Sequence, residues 1–178
     1  MKIIIIRHAK VNYKWKFWYT SQEFNKSCNE YDISPIDFSN KYSINTKQPI
    51  YISELSRSYD TAKLIFGSNK FIRMNLFNEV PLRAFTDKEI KLPLIIWRIF
   101  GRIQWYMNSK KQIETKNQTY KRSKKTIDFL ERKNEDCFII CHACYMRILL
   151  RELKYSGYTG SYSRINIMNL QKFVFIKE

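Results

Sequence analysis

The sequence predicts a single three-layer α/β/α domain with a mostly parallel sheet, and three patterns carry that reading. Short continuous apolar runs, Lys2–Arg7 (KIIIIR), 50–53 (IYIS) and Cys137–Cys141 (CFIIC), suit strands covered on both faces, because a half-exposed strand alternates apolar with polar residues. Helical periodicity falls between these runs, and strands alternating with helices form parallel sheets with helices on both sides. The length, 178 residues, fits one domain of the usual ~100–200 residues.

Each element follows in order. The opening run is the first strand. The strand at 50–53 is followed by a helix over Ser56–Phe66, which ends before Gly67. A third strand is expected at 71–77 (FIRMNLF). A helix over about 115–133 places Tyr120, Ile127 and Leu130 on one face and Lys121, Lys124 and Lys125 on the other. The strand Cys137–Cys141 leads directly into a helix over 143–154. The chain ends in a predicted hairpin, 164–169 with 172–177, turning at Leu170-Gln171. Two segments, about 12–48 and 84–125, read as inserts within one domain spanning 1–178.

Composition narrows the function classes. The chain has 32 Lys+Arg against 16 Asp+Glu, a formal charge of +16. Lys (21), Ile (24) and Asn (13) are high together while Ala and Gly number four each. That pattern reflects AT-rich codons, so the charge alone does not argue for nucleic acid. The basic run at 109–125 reads as a solvated helix face, with Tyr120 alone a poor stacking platform. The four apolar residues of MKIIII are too few for a secretory signal. The apolar segment 92–107 is 16 residues long and carries Arg98 and Arg102, whereas a spanning helix needs about 20 largely uncharged residues. The expectation is a cytoplasmic protein without a membrane span. Segment 92–107 suits a lid over the site, a homo-oligomer contact or a surface-membrane helix, and the expectation is a lid or a homo-oligomer contact.

In open α/β sheets the site lies beyond the carboxyl ends of the strands. Arg7 and His8 follow the first strand, Ser53, Leu55 and Arg57 the second, Glu79 the third, and His142 the fourth. The two histidines, the only ones in the chain, thus occupy the same kind of position.

These residues resemble a known family. Arg7-His8-Ala9-Lys10 is similar to the Arg-His-Gly signature of the histidine phosphatase superfamily, whose fold is that of phosphoglycerate mutase. Ser53-Glu-Leu-Ser-Arg57, continuing to Thr61-Ala62, resembles the family's Ser-x-Leu-x-Arg-x-x-x-Thr-Ala block. Leu76-Phe-Asn-Glu79 resembles the block carrying its acid, and Phe138-Ile-Ile-Cys-His142 the strand before its second histidine. The resemblance implies a metal- and cofactor-independent phosphomonoesterase, a hydrolase rather than a mutase, acting on a phosphorylated small molecule or phosphoprotein. It implies His8 as the nucleophile that carries a phosphohistidine, and Glu79 as acid and base. Arg7, Arg57 and His142 would grip the phosphoryl group, with Asn12, Lys14 and Ala143 as further substrate contacts.

The residue types suit that chemistry. Neutral imidazole attacks phosphorus and later leaves, splitting one transfer into two easier steps. Its other nitrogen then needs a backbone acceptor to fix the tautomer. Guanidinium forks hold phosphate oxygens bidentately and stay charged. The N–H groups opening the helix after His142 would add positive dipole. Asp87 and Glu89 are alternatives to Glu79. Ala9 and Ala143-Cys144 stand where the family has glycine, and Val11 where a hydroxyl residue is frequent. Two other readings compete: a phosphate-binding scaffold with weak catalysis, and a thiol redox protein using Cys141 and Cys144 of Cys-His-Ala-Cys. Cys137, Cys141, His142 and Cys144 can also be drawn as zinc ligands, but buried apolar thiols are the simpler reading.

Overall fold

The computed structural model describes residues 1–38, 43–67, 70–161 and 166–178. Its main sheet contains β1 (Lys2–Arg7), β3 (Ile50–Ile52), β4 (Phe71–Arg73), β6 (Cys137–Cys141) and β7 (Lys172–Ile176), in the spatial order β4-β3-β6-β1-β7. All neighbours are parallel except β7, which runs antiparallel to β1.

The continuous apolar runs have the reason the sequence suggested. Ile3 and Ile5 of β1, with Cys137, Ile139 and Cys141 of β6, pack under α4 (Lys116–Lys133) and α5 (Ala143–Tyr155). Ile4, Ile6, Phe138 and Ile140 point the other way, onto Ala62, Ile65 and Phe66 of α2 (Ser56–Phe66). Successive strand residues face opposite layers, so both sets must be apolar. α2 stops at Gly67, whose φ of +65° is costly for any residue with a Cβ. α4 opens on a reciprocal capping box between Thr115 and Gln118 and closes on Asn134 in the left-handed region.

Two expectations are corrected. The third strand ends at Arg73, and Asn75–Phe77 forms a 3-10 turn instead. That turn buries Phe77 and presents the Leu76 and Asn78 carbonyls to Arg122 of α4, contacts a continuing strand would not make. The C-terminal hairpin is also not formed among the described residues: 166–169 carry no strand, and 164–165 lie outside the described residues. The turn is fastened to β1 instead. Leu170 N–H donates to the Arg7 carbonyl (3.0 Å) and Arg7 N–H to the Gln171 carbonyl (3.1 Å), so β7 takes its ladder from β1.

The two insert segments meet each other. The first contains β2 (Trp18–Tyr19) and α1 (Ser21–Ile33); the second contains β5 (Leu92–Pro93) and α3 (Leu94–Tyr106). β2 pairs with β5, Phe24 stacks on Trp97 at 5.8 Å between centroids, and Trp97 Nε1–H donates to the Tyr19 carbonyl. This small apolar cluster of Tyr19, Phe24, Ala84 and Trp97 holds one wall of the cavity described next.

Candidate active site

Register decides which side chains meet. Ile6 pairs with Ile140, and Ile140 with Ile52, so β1, β6 and β3 finish level. Arg7, His8, Ser53 and His142 therefore emerge at one edge, and Arg57 joins them from the first turn of α2. Arg7, His8 and Arg57 line a cavity of about 1020 Å³ together with Glu79 and others, while Ser53 and His142 are fully buried behind that lining.

His8 is 3 % exposed, and its Nδ1 lies 2.6 Å from the Ala9 carbonyl. A carbonyl only accepts, so Nδ1 carries the proton and Nε2 keeps its lone pair. Burial, aided by the charges of Arg57 and Arg7, pushes the His8 pKa down to about 3. The ring is neutral across the physiological range. Its backbone is held as firmly: His8 N–H donates to Cys141, Ala9 N–H to the Thr61 hydroxyl, and Asn169 Nδ2 to the His8 carbonyl. Ala9 is thus accommodated where glycine is usual, and Val11 is buried, bridged to Ile36.

Arg57 is 2 % exposed. Its Nε donates to His142 Nδ1 (3.1 Å), its Nη1 pairs with Asp32 (2.7 Å), and its guanidinium lies over the Tyr31 ring. Arginine has no lone pair to give, so His142 Nδ1 accepts and its proton resides on Nε2, which meets Ser53 Oγ at 2.6 Å. Burial first, then the neighbouring His8 and arginine charges, hold the His142 pKa well below its usual value. The two imidazoles lie 4.9 Å apart. His142 reaches the site, but both its ring nitrogens are engaged by protein groups, so in this arrangement it orients Arg57 rather than presenting a free N–H to the cavity.

Arg7 donates through Nη1 to the Ile167 carbonyl (2.5 Å), while its buried Nε has no hydrogen-bond partner among the described residues. Burial lowers its pKa, and the nearby Tyr31 and Glu79 oppose that shift.

Glu79 lies across the start of α5. Its carboxylate accepts from the N–H groups of Val80 (2.9 Å), Tyr145 (2.9 Å) and Cys144 (3.2 Å). The helix N–H groups expected to face phosphate are therefore taken by Glu79, a carboxylate placed at the positive end of a helix. Ala143 opens the helix and does not line the cavity. Asp87 pairs with Arg83 on the surface and Glu89 bonds Ser21; neither lines the cavity, whereas Glu79 does, along with the carboxylates Asp32 and Glu114.

Asn12 and Lys14 are not brought to the site. Exposure alternates along this stretch: Asn12 and Lys14 face solvent, whereas Tyr13 and Trp15 turn inward, fixed by Asn12 N–H donating to the Pro35 carbonyl. Trp15 lines the cavity. Tyr31, Asp32, Arg98 and Arg102 also line it, and no local pattern had marked them. Arg98 lies over the Trp15 ring at 4.5 Å, and Trp15 meets Tyr31 at 5.5 Å between centroids. The alternation of Tyr13 and Trp15 with polar Asn12, Lys14 and Lys16 is the signal in the sequence for Trp15.

The thiols are unsuited to redox work. Burial raises the pKa of Cys141 above its ordinary value and that of Cys144 to about 11, where reactive thiols need the opposite shift. Among the described residues no group of three or more His, Cys, Asp or Glu side chains is arranged to hold a metal.

A model of the histidine phosphatase superfamily (branch 1) matches residues 39–171. The chain belongs to this superfamily. The matched span contains Arg57, Glu79 and His142 but begins after His8, whose place rests on the geometry above. No curated protein matches significantly. Among solved structures, phosphoserine phosphatase from Entamoeba histolytica superposes with a TM-score of 0.56 at 15 % identity, covering 98 % of this chain and 90 % of the other. A mycobacterial glucosyl-3-phosphoglycerate phosphatase gives 0.53 at 14 % identity, covering 85 % and 78 %. The α-ribazole phosphatase of Shigella flexneri gives 0.51 at 18 % identity, covering 86 % and 79 %. At such identities the likeness establishes the shared fold: an α/β domain with a mostly parallel sheet and a histidine phosphatase topology. No helix of the described residues is long and apolar enough to cross a membrane.

Proposed function

We propose that this histidine phosphatase superfamily member is a metal-independent phosphomonoesterase working through phospho-His8. The observation that carries the reading is the neutral, tautomer-fixed imidazole of His8 in a cavity that Arg7 and Arg57 also line. In the first step the Nε2 lone pair attacks phosphorus, the P–O bond to the leaving group breaks, and Glu79, having taken a proton from the monoanionic phosphate ester, passes it to the departing alkoxide. In the second, water attacks the phosphohistidine, Glu79 takes the water's proton, and the Nε2 electron pair returns to the ring. Arg7 and Arg57 offset the charge spread over the equatorial oxygens, where positioning and electrostatics supply most of the catalysis. His142 holds Arg57 in place.

A phosphorylated small molecule fits the site better than a phosphoprotein. The cavity of about 1020 Å³ is walled by the two inserts, at the upper end of ordinary ligand pockets. Arg98, poised on Trp15 with no carboxylate partner among the described residues, suits a substrate with a second anionic group. The weak-scaffold reading has one observation in its favour: Asp32 already occupies an Arg57 nitrogen.

Hydrolysis of an aryl phosphate in excess chelator separates these readings. The expected outcome is full activity with chelator and a loss of about three orders of magnitude or more in His8→Ala. Equal turnover by wild type and His8→Ala sinks the phosphohistidine mechanism, and no turnover by wild type favours the scaffold.

A further inference from the structure

The apolar surface of α3 is only half used by the fold. Trp97, Gly101 and Trp105 face inward; a Cβ on Gly101 would come within 2.7 Å of Leu82, so that face is closely packed. The opposite arc carries Ile95, Ile99, Phe100, Ile103, Tyr106 and Met107, each between 44 % and 72 % exposed. On a straight helix these six residues fall within less than half the circumference. Beside the head of the helix, Phe17 and the following Trp18 of β2 are exposed, tied to it by Leu94 N–H donating to the Phe17 carbonyl. Apolar exposure gathered in this way marks a contact surface.

Charge indicates what covers it. Residues 90–113 contain no carboxylate, and exposed Lys91, Lys110 and Lys111 stand at the two ends of the helix. Lys116 Nζ lies 3.5 Å from the centre of the Tyr106 ring. Lys14 and Lys16 precede Phe17 and are exposed, Lys16 with Glu23 at 3.8 Å as its acidic neighbour. Along the sequence, Glu89 is the exposed acid nearest the head of the segment. A second copy of the chain would bring the same lysines, and another +16, against this rim. An anionic lipid surface complements it, with aliphatic side chains entering the headgroup–acyl boundary, Trp18 and Tyr106 at headgroup level and lysines on lipid phosphates.

We propose that α3, with Phe17 and Trp18 beside it, seats this protein peripherally on an anionic lipid surface. The inference does not depend on the catalytic reading. Co-sedimentation with phosphatidylcholine vesicles, with and without phosphatidylserine, tests it. Wild type partitions at least about tenfold more strongly onto the anionic vesicles, and added salt weakens the binding. Ile99→Glu with Ile103→Glu abolishes binding; Lys110→Gln with Lys111→Gln, changes confined to exposed side chains, weakens it severalfold. No binding to anionic vesicles overturns the proposal, as does binding that survives both pairs of substitutions. A dimer that α3 substitutions dissociate, with no vesicle binding, assigns the face to a second copy.

Discussion

Asp32 is the residue whose presence most changes how the site works. It stands in the last turn of α1, where the helix's partial negative end disfavours a carboxylate, and Arg57 holds it there. A bound phosphoryl group has to share that guanidinium with it. Asp32→Asn keeps an oxygen that accepts from Arg57 while removing the like charge. Inorganic phosphate should then inhibit aryl phosphate hydrolysis about tenfold more strongly. Unchanged or weaker inhibition would mean that Asp32 serves only to position Arg57. Neither Asp32 nor Arg98 was legible in the sequence, because each reaches the site from an insert with no local signature. Arg7, His8, Arg57 and His142 were legible because each ends, directly follows or lies just beyond a strand, and Glu79 because it closes the Leu76-Phe-Asn-Glu79 block that follows the third strand and its turn. Asn12 and Lys14 were misplaced by one residue of phase: a bond from Asn12 N–H to Pro35, invisible in the sequence, turns the odd-numbered neighbours inward.

Among the elements, β1 and β6 were readable end to end, since a strand buried on both faces needs an unbroken apolar run. The edge strand β4 was not, because FIRMNLF suits a strand and a tight turn equally, and only Arg122 and the buried Phe77 select the turn. The C-terminal arm misled for a related reason: turn residues at 168–171 mark a reversal but not the partner strand. The inserts depend on each other through Trp97, which is fully buried between Phe24 and Phe85. Trp97→Ala should cost about 3–5 kcal/mol of stability. Because this cluster holds the cavity wall, KM should rise more than kcat falls. A loss of stability with unchanged KM would separate the wall from substrate binding.

Across the whole molecule, the two buried neutral histidines link stability to acid. The His8 pKa is lowered from 6.5 to about 3, and His142 is shifted the same way. Above pH 6.5 the folded and unfolded chains are alike at these rings. Below it the unfolded chain takes up protons that the folded chain refuses, so stability falls as pH drops toward the folded values. Each histidine contributes about 1.4 kcal/mol per pH unit within that window. Denaturant titrations at pH 7 and pH 5 should show this decline; equal stability at both would mean that the folded rings take up protons at the ordinary imidazole pKa. The same shift means that the acid limb of kcat/KM does not fall at pH 6.5 on account of His8.

The central claim is that phosphorus passes through His8. Rapid acid-free quenching of the enzyme with a labelled phosphate ester tests it most directly. The account predicts an acid-labile, base-stable phosphoenzyme approaching one phosphate per chain, formed as fast as turnover and absent from His8→Ala. Hydrolysis that proceeds with no such species, or a phosphoenzyme that persists in His8→Ala, would contradict it.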